Sequence, residues 1–204
     1  MNTGSLKPPK QIFTIGHSNH TFEHFVGLLK QHNVEVVADT RSHPQSKYAS
    51  QFDSKVLQRA LSENGIKYLF MGKELGGRPP GSEYYDHEGH VLYSRVAEST
   101  FFQNGLKRLE KGLGQFRVAM LCTEEDPTSC HRRLLIGRVL AEKGVSIAHI
   151  RGDGRLQSEA QLTEEESRQA EHDGQLSFFN HWTPEWKSIP SVLHKKRLSS
   201  SSAR

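Results

Sequence analysis

Short apolar runs alternate with amphipathic helical stretches along most of this chain, and that alternation limits what it can fold into more than any other feature. Gln11-Ile12-Phe13-Thr14-Ile15 is β-prone and ends in Gly16-His17-Ser18. Phe22, Phe25, Leu28 and Leu29 then recur at helical spacing, with Thr21 or Asn19 placed to cap the helix. Residues 34–38 are apolar again, and residues 66–70, 116–121 and 145–150 repeat the short-run pattern. Helical patterns separate them: Val56, Leu57, Ala60 and Leu61 after a Ser54 cap, Phe102, Leu106 and Leu109 within 101–113, and Leu134, Leu135, Val139 and Leu140 before Gly144. Strand, helix and strand in succession require crossovers, and crossovers make parallel neighbours. The expectation is an α/β fold in three layers: a mostly parallel sheet of about five strands with helices on both faces.

Beyond Arg155 the pattern weakens. Residues 159–171 are polar and helical in spacing, with Thr163 and Glu166 at the distance of a capping box. Phe178, Phe179, Trp182 and Trp186 predict a segment that docks on the domain. The expected organisation is therefore a disordered lead-in over 1–10, an α/β domain over 11–155, a C-terminal extension over 156–190 that packs on it, and a disordered basic tail over 191–204. Residues 81–95 lack a clean period and read as a long functional loop or lid.

Composition narrows the function classes. No apolar run approaches the roughly 20 residues of a membrane span, and the lead-in has no apolar stretch of the signal-peptide kind. Two cysteines cannot make a disulfide framework, so a cytoplasmic protein with reduced thiols is expected. The net charge of +4 leans towards anionic partners, although Lys195, Lys196 and Arg197 in the tail supply three of those charges.

Each candidate strand ends in polar, reactive or glycine-rich residues, and a parallel sheet gathers those carboxyl ends along one edge. The stretch from Leu121 to Arg132, Leu-Cys-Thr-Glu-Glu-Asp-Pro-Thr-Ser-Cys-His-Arg, is the densest of these ends. Arg41, Arg78 and Arg132 carry planar donor forks suited to phosphate or carboxylate. Gly16, Gly76 and Gly77 admit close approach of backbone amides to an anion, and Ser18 and His131 lie in the same loops. The alternative for the arginines is ion pairing with Asp39, Glu74 or Glu124 that holds the loops. Asp39, two residues from Arg41, is the first candidate for a general base or a stabiliser of positive charge, and Glu124 is the second. A structural Asp39–Arg41 pair is the competing account. Cys130, beside His131 and Arg132 at a helix start, is a candidate nucleophile with His17 or His131 as base, unless it is a small buried hydrophobe. Metal binding by Cys122, Cys130 and a histidine is a further possibility, although the cysteine spacing matches no common zinc pattern, so neither a metal nor another cofactor is assigned from sequence.

These residues carry a resemblance. TIGHS at 14–18, VADTRSHP at 37–44, GIKYLFMGKELGGRP at 65–79, the Cys122, Glu124, Cys130-His131-Arg132 spacing and His149-Ile150 resemble the domain of unknown function 488 family over residues 11–155. The family's usual DVR is here Asp39-Thr40-Arg41. The resemblance implies a three-layer α/β domain and implies no particular reaction.

Three functions follow from the residues. The first is a hydrolytic enzyme on a phosphate-bearing nucleotide or nucleic acid, with N-glycosidic cleavage among its options and Tyr84, Tyr85 and Tyr93 available to stack on a base. The second is a non-catalytic nucleic-acid-binding or regulatory module, and the third is a thiol or metal-dependent protein using Cys122 and Cys130. The expected partner is an anionic small molecule or a nucleic acid, without a membrane.

Overall fold

The alternating runs fold as strands and helices of a three-layer α/β domain in the computed structural model, which describes residues 10–45, 48–172, 186–190 and 192. The first half contains β1 (Gln11–Gly16), α1 (Phe22–Gln31), β2 (Val36–Asp39), α2 (Ser54–Glu63), β3 (Lys67–Phe70), α3 (Gly72–Leu75), α4 (Tyr93–Glu98) and α5 (Thr100–Leu113). The second half contains β4 (Val118–Cys122), a π-helix (Arg132–Gly137), α6 (Arg138–Glu142), β5 (Ser146–Ile150), β6 (Leu156–Ser158) and α7 (Glu159–His172). Thr21 caps α1 by accepting from the His24 amide at 3.2 Å. At α2 the cap position is Asp53 rather than Ser54, which has already entered the helix.

The sheet order is β3-β2-β4-β1-β5-β6, with β3 to β5 in parallel register and β6 antiparallel to β5. The sequence pattern gave five strands; the sixth is three residues long, too short for a period to register. A tight turn returns the chain to form it, with Arg151 N–H donating to the Arg155 carbonyl at 3.0 Å and Gly154 N–H to the Arg151 carbonyl at 2.9 Å. The chain beyond Arg155 is thus tied to the sheet, and α7 follows without a break.

Side chains alternate across the strands, and each face meets its own helices. Phe13, Ile15, Val37, Ala119 and Leu121 pack against Phe25, Leu28 and Leu29 of α1 and Leu57 and Leu61 of α2. Ile12, Ala38, Val118 and Met120 pack on the other face against Phe102, Leu106 and Leu109 of α5 and Leu135, Ile136, Val139 and Leu140. Burying each such Leu, Ile or Phe contributes about 1.5–3 kcal/mol, which is why the helical stripes read from sequence face the sheet. One consequence positions the site. The strands flanking β4 are followed by α1 and α2 on one face, whereas β4 is followed by the π-helix and α6 on the other. The carboxyl end of β4 is therefore a place where the chain parts to opposite faces, leaving a crevice.

Trp186 anchors the C-terminal segment: its indole N–H donates to the Leu134 carbonyl at 3.0 Å, its ring packs edge-on to Tyr93, and Arg138 lies over it. Phe178, Phe179 and Trp182, the lead-in over 1–9 and the tail over 193–204 lie outside the described residues. No helix among the described residues is long and apolar enough to cross a membrane.

Candidate functional site

The loop after β4 is folded back on the sheet by one buried cation. Arg132, 1% exposed, donates to the carbonyls of Glu124 at 2.5 Å and Glu125 at 2.6 Å, and to the Thr14 hydroxyl at 3.3 Å. Strand β1 secures the same loop, with His17 N–H donating to the Cys122 carbonyl at 3.1 Å and Ser18 N–H to the Thr123 carbonyl at 2.9 Å. This contact is so close that a Cβ on Gly16 would sit 1.9 Å from the Glu124 carbonyl oxygen. Gly16 therefore admits a protein loop.

The fold-back brings Cys122, Glu124, Cys130 and His131 together. Both thiols reach the same Glu124 carboxylate oxygen, Cys122 Sγ at 2.8 Å and Cys130 Sγ at 3.3 Å. His131 Nδ1 is 3.8 Å from each sulfur, and its Nε2 is 3.2 Å from the Thr40 carbonyl. A Cβ on Gly77 would lie 2.8 Å from the imidazole Cγ and Nδ1, so that glycine is the wall against which the ring rests. The two buried thiols are driven apart in acidity. Burial alone would push Cys130 up, but the Cys122 thiol, the Arg132 charge and His131 outweigh it and hold Cys130 well below the ordinary thiol value. Its hydrogen bond with Cys130, then burial, push Cys122 well above. For His131, burial disfavours the charged ring, yet hydrogen bonding and attraction to Cys130 raise its pKa.

A second polar group sits beside this one and is closed on itself. Arg41 donates through Nε and one terminal nitrogen to the two oxygens of Asp39, at 2.9 and 2.6 Å, and to the Phe52 carbonyl at 2.9 Å. Asp39 also accepts from the Arg41 amide and, at 2.7 Å, from the Tyr68 hydroxyl. The other terminal nitrogen of Arg41 donates to His17 Nε2 at 3.1 Å, while His17 Nδ1–H donates to the Ser18 carbonyl at 2.8 Å. His17 stacks on Phe52 and is 1% exposed. Burial lowers its pKa to about 4, with the Arg41 charge acting in the same direction, so the ring is neutral and its lone pair is occupied.

A cavity of about 290 Å³ opens over the thiols. Of the residues singled out in the sequence, Arg41, Gly77, Arg78, Glu124, Cys130 and His131 line it, and Cys122 does too. His17, Asp39, Gly16, Ser18, Gly76 and Arg132 do not; they form the frame beneath it. Gly76 packs against the Gly72 carbonyl and the Ser42 hydroxyl, not against open space. Of the three tyrosines, only Tyr93 lines the cavity. Tyr84 packs edge-on to Phe101, and the Tyr85 hydroxyl donates to the Pro79 carbonyl. Sequence reasoning missed Ser42, His43, Gln45, Ser129 and the C-terminal wall of Ser188, Pro190 and Val192. The wall could not be foreseen, because it is held by backbone pairing: Leu92 bridges Lys187, and Ser188 N–H donates to the Val91 carbonyl at 2.8 Å.

Comparison with known proteins places the chain by sequence alone. The family model described as "Domain of unknown function DUF488" matches residues 21–139, more than half of the chain, and the chain belongs to that family. No curated protein and no solved structure matches it.

Proposed function

We propose that this member of the domain of unknown function 488 family is an enzyme that hydrolyses a small phosphate-bearing molecule of the nucleotide class in the cavity at the end of β4. The observation that carries this reading is the polarity of the cavity wall. Its lining includes Arg78, exposed and without an ion-pair partner among the described residues, and the Glu124 carboxylate, which accepts from two thiols. An unpaired guanidinium offers a bidentate fork to phosphate. Arg41 also lines the cavity, but its charge is matched by Asp39, so Arg78 is the cation left for an anion.

Glu124 takes the proton-transfer role in this reading, because it is the carboxylate that faces the cavity, whereas Asp39 is consumed by Arg41 and Tyr68. The cavity's size is near the lower end of small-molecule sites and suits one phosphate with its attached sugar better than a duplex. The test is calorimetric binding of inorganic phosphate and of nucleoside mono-, di- and triphosphates to the native chain and to Arg78→Ala, followed by product analysis for any ligand that binds. Binding that weakens tenfold or more in Arg78→Ala, with turnover lost in Glu124→Gln, is the expected result. Equal binding by the two chains, or no binding of any phosphate, would overturn the proposal.

A further inference from the structure

We infer that Cys122, Cys130 and His131 form a three-ligand binding site for one zinc ion, with the fourth position left to water. The sequence spacing of the cysteines hides this site, and the fold builds it. Ligand atoms of Cys122, Cys130 and His131 all lie within 4.8 Å of one another. A tetrahedral zinc with ordinary Zn–S and Zn–N bonds separates sulfur from nitrogen by about 3.6 Å. His131 Nδ1 stands 3.8 Å from both sulfurs. The Glu124 oxygen, at 2.8 and 3.3 Å from those sulfurs, stands outside the three-ligand group, so the fourth position is left to water and the Glu124 carboxylate stays free beside it. Two thiolates and an imidazole match a borderline-soft divalent ion, and the nitrogen donor with an open position for water favours zinc over copper(I).

The surroundings are those a metal ligand requires. The ligating nitrogen of a bound histidine is exposed when the other nitrogen donates to a carbonyl or carboxylate, which fixes tautomer and ring plane. His131 Nε2 faces the Thr40 carbonyl in that way, leaving Nδ1 towards the sulfurs. Gly77 backs the ring, and Arg132 staples the Glu124 and Glu125 carbonyls so that the two ends of the loop, Cys122 and Cys130, meet. The other close group, Asp86, Glu88 and His90, lacks such a design: Asp86 is neutralised by Lys187 and accepts from the turn's own amides.

The site stands on ligand geometry and does not depend on the phosphate reading. The full chain, purified without chelators, is expected to carry one equivalent of zinc by elemental analysis. Replacement by cobalt(II) is expected to give tetrahedral d–d bands and a thiolate-to-metal charge-transfer band. His131→Gln should weaken zinc in a chelator competition by tenfold or more, whereas Glu124→Gln should leave zinc affinity within about threefold. Zinc should also shield both thiols from alkylation in the native chain, a readout that needs no variant. Less than a tenth of an equivalent of zinc after incubation with excess zinc ion would overturn the inference, as would cobalt without a charge-transfer band. A Cys122–Cys130 disulfide in the protein as isolated would overturn it too. Failure of phosphate binding would leave all of these metal readouts in place.

Discussion

Acidifying the protein should reveal His17 as a neutral imidazole that the native fold refuses to protonate. The ring lies against Phe52, its Nδ1–H is committed to the Ser18 carbonyl, and its Nε2 accepts from the Arg41 guanidinium. Protonation would place two cations in contact at a buried position, and its folded pKa is accordingly about 4 against 6.5 in the unfolded chain. Between those two values the unfolded state holds a proton that the native state lacks, so stability falls as pH falls from 6.5 and the loss is complete just below 4. The difference between the two values is worth about 3 kcal/mol. The assay is urea unfolding across this window for the native chain and for His17→Gln, whose amide can keep both hydrogen bonds and cannot be charged. Contributions from carboxylates and from other histidines are common to both chains and cancel in the difference. The stability advantage of the native chain over the variant should shrink by about 3 kcal/mol on going from pH 6.5 to below 4. Parallel stability curves, or an NMR titration of His17 near 6.5, would refute the reasoning and reopen His17 as a base.

Asp39→Asn leaves the Arg41 guanidinium, 4% exposed, without its counter-charge, and should cost about 3 kcal/mol in chemical unfolding; a loss below about 0.5 kcal/mol would mean that the pair is as replaceable as a surface pair. Gly16→Ala puts a methyl into the Glu124 backbone, so β1 and the loop after β4 must separate, at a cost of about 2–3 kcal/mol or more; thermal unfolding unchanged from native would show that the loop gives freely. Gly77→Ala presses on the His131 ring at the half-exposed cavity wall, and should weaken zinc about tenfold in a chelator competition; unchanged affinity would show that the ring can yield without losing its place. Arg133→Ala removes the partner of both Glu159 and Glu166 and should loosen α7 from the π-helix; faster amide exchange confined to α7 checks it, and uniform exchange would contradict it.

The fold was legible because the information is local. A helical stripe at Phe102, Leu106 and Leu109 reports the face that must be buried, and the core shows that face buried, while the alternation over residues 66–70 marks an edge strand whose side chains are only partly covered. The place of the cavity was legible too, since parallel strands send their loops to one edge, and the densest polar loop, that after β4, is where the cavity opens. The role of each residue within that edge was not. Arg41, Arg78 and Arg132 look alike in sequence, yet the partners of Arg132 include Thr14, 118 residues away, and those of Arg41 include His17 and Phe52. Only Arg78 keeps its fork free among the described residues.

The sequence by itself determined the layers, the parallel core of the sheet and the edge at which polar groups collect, because hydrophobic periodicity and chain direction suffice for these. Tertiary structure decided which polar groups neutralise one another and which remain for a ligand. Asp39, Arg41 and His17 close into a frame on one side of the sheet edge. Cys122, Cys130 and His131 meet on the other, across a seven-residue gap bridged by Arg132, with the Glu124 carboxylate beside them. The physical reason is that a buried charge takes the nearest partner in space, and spatial nearness among loops from different strands follows from sheet order, which no spacing within one loop encodes.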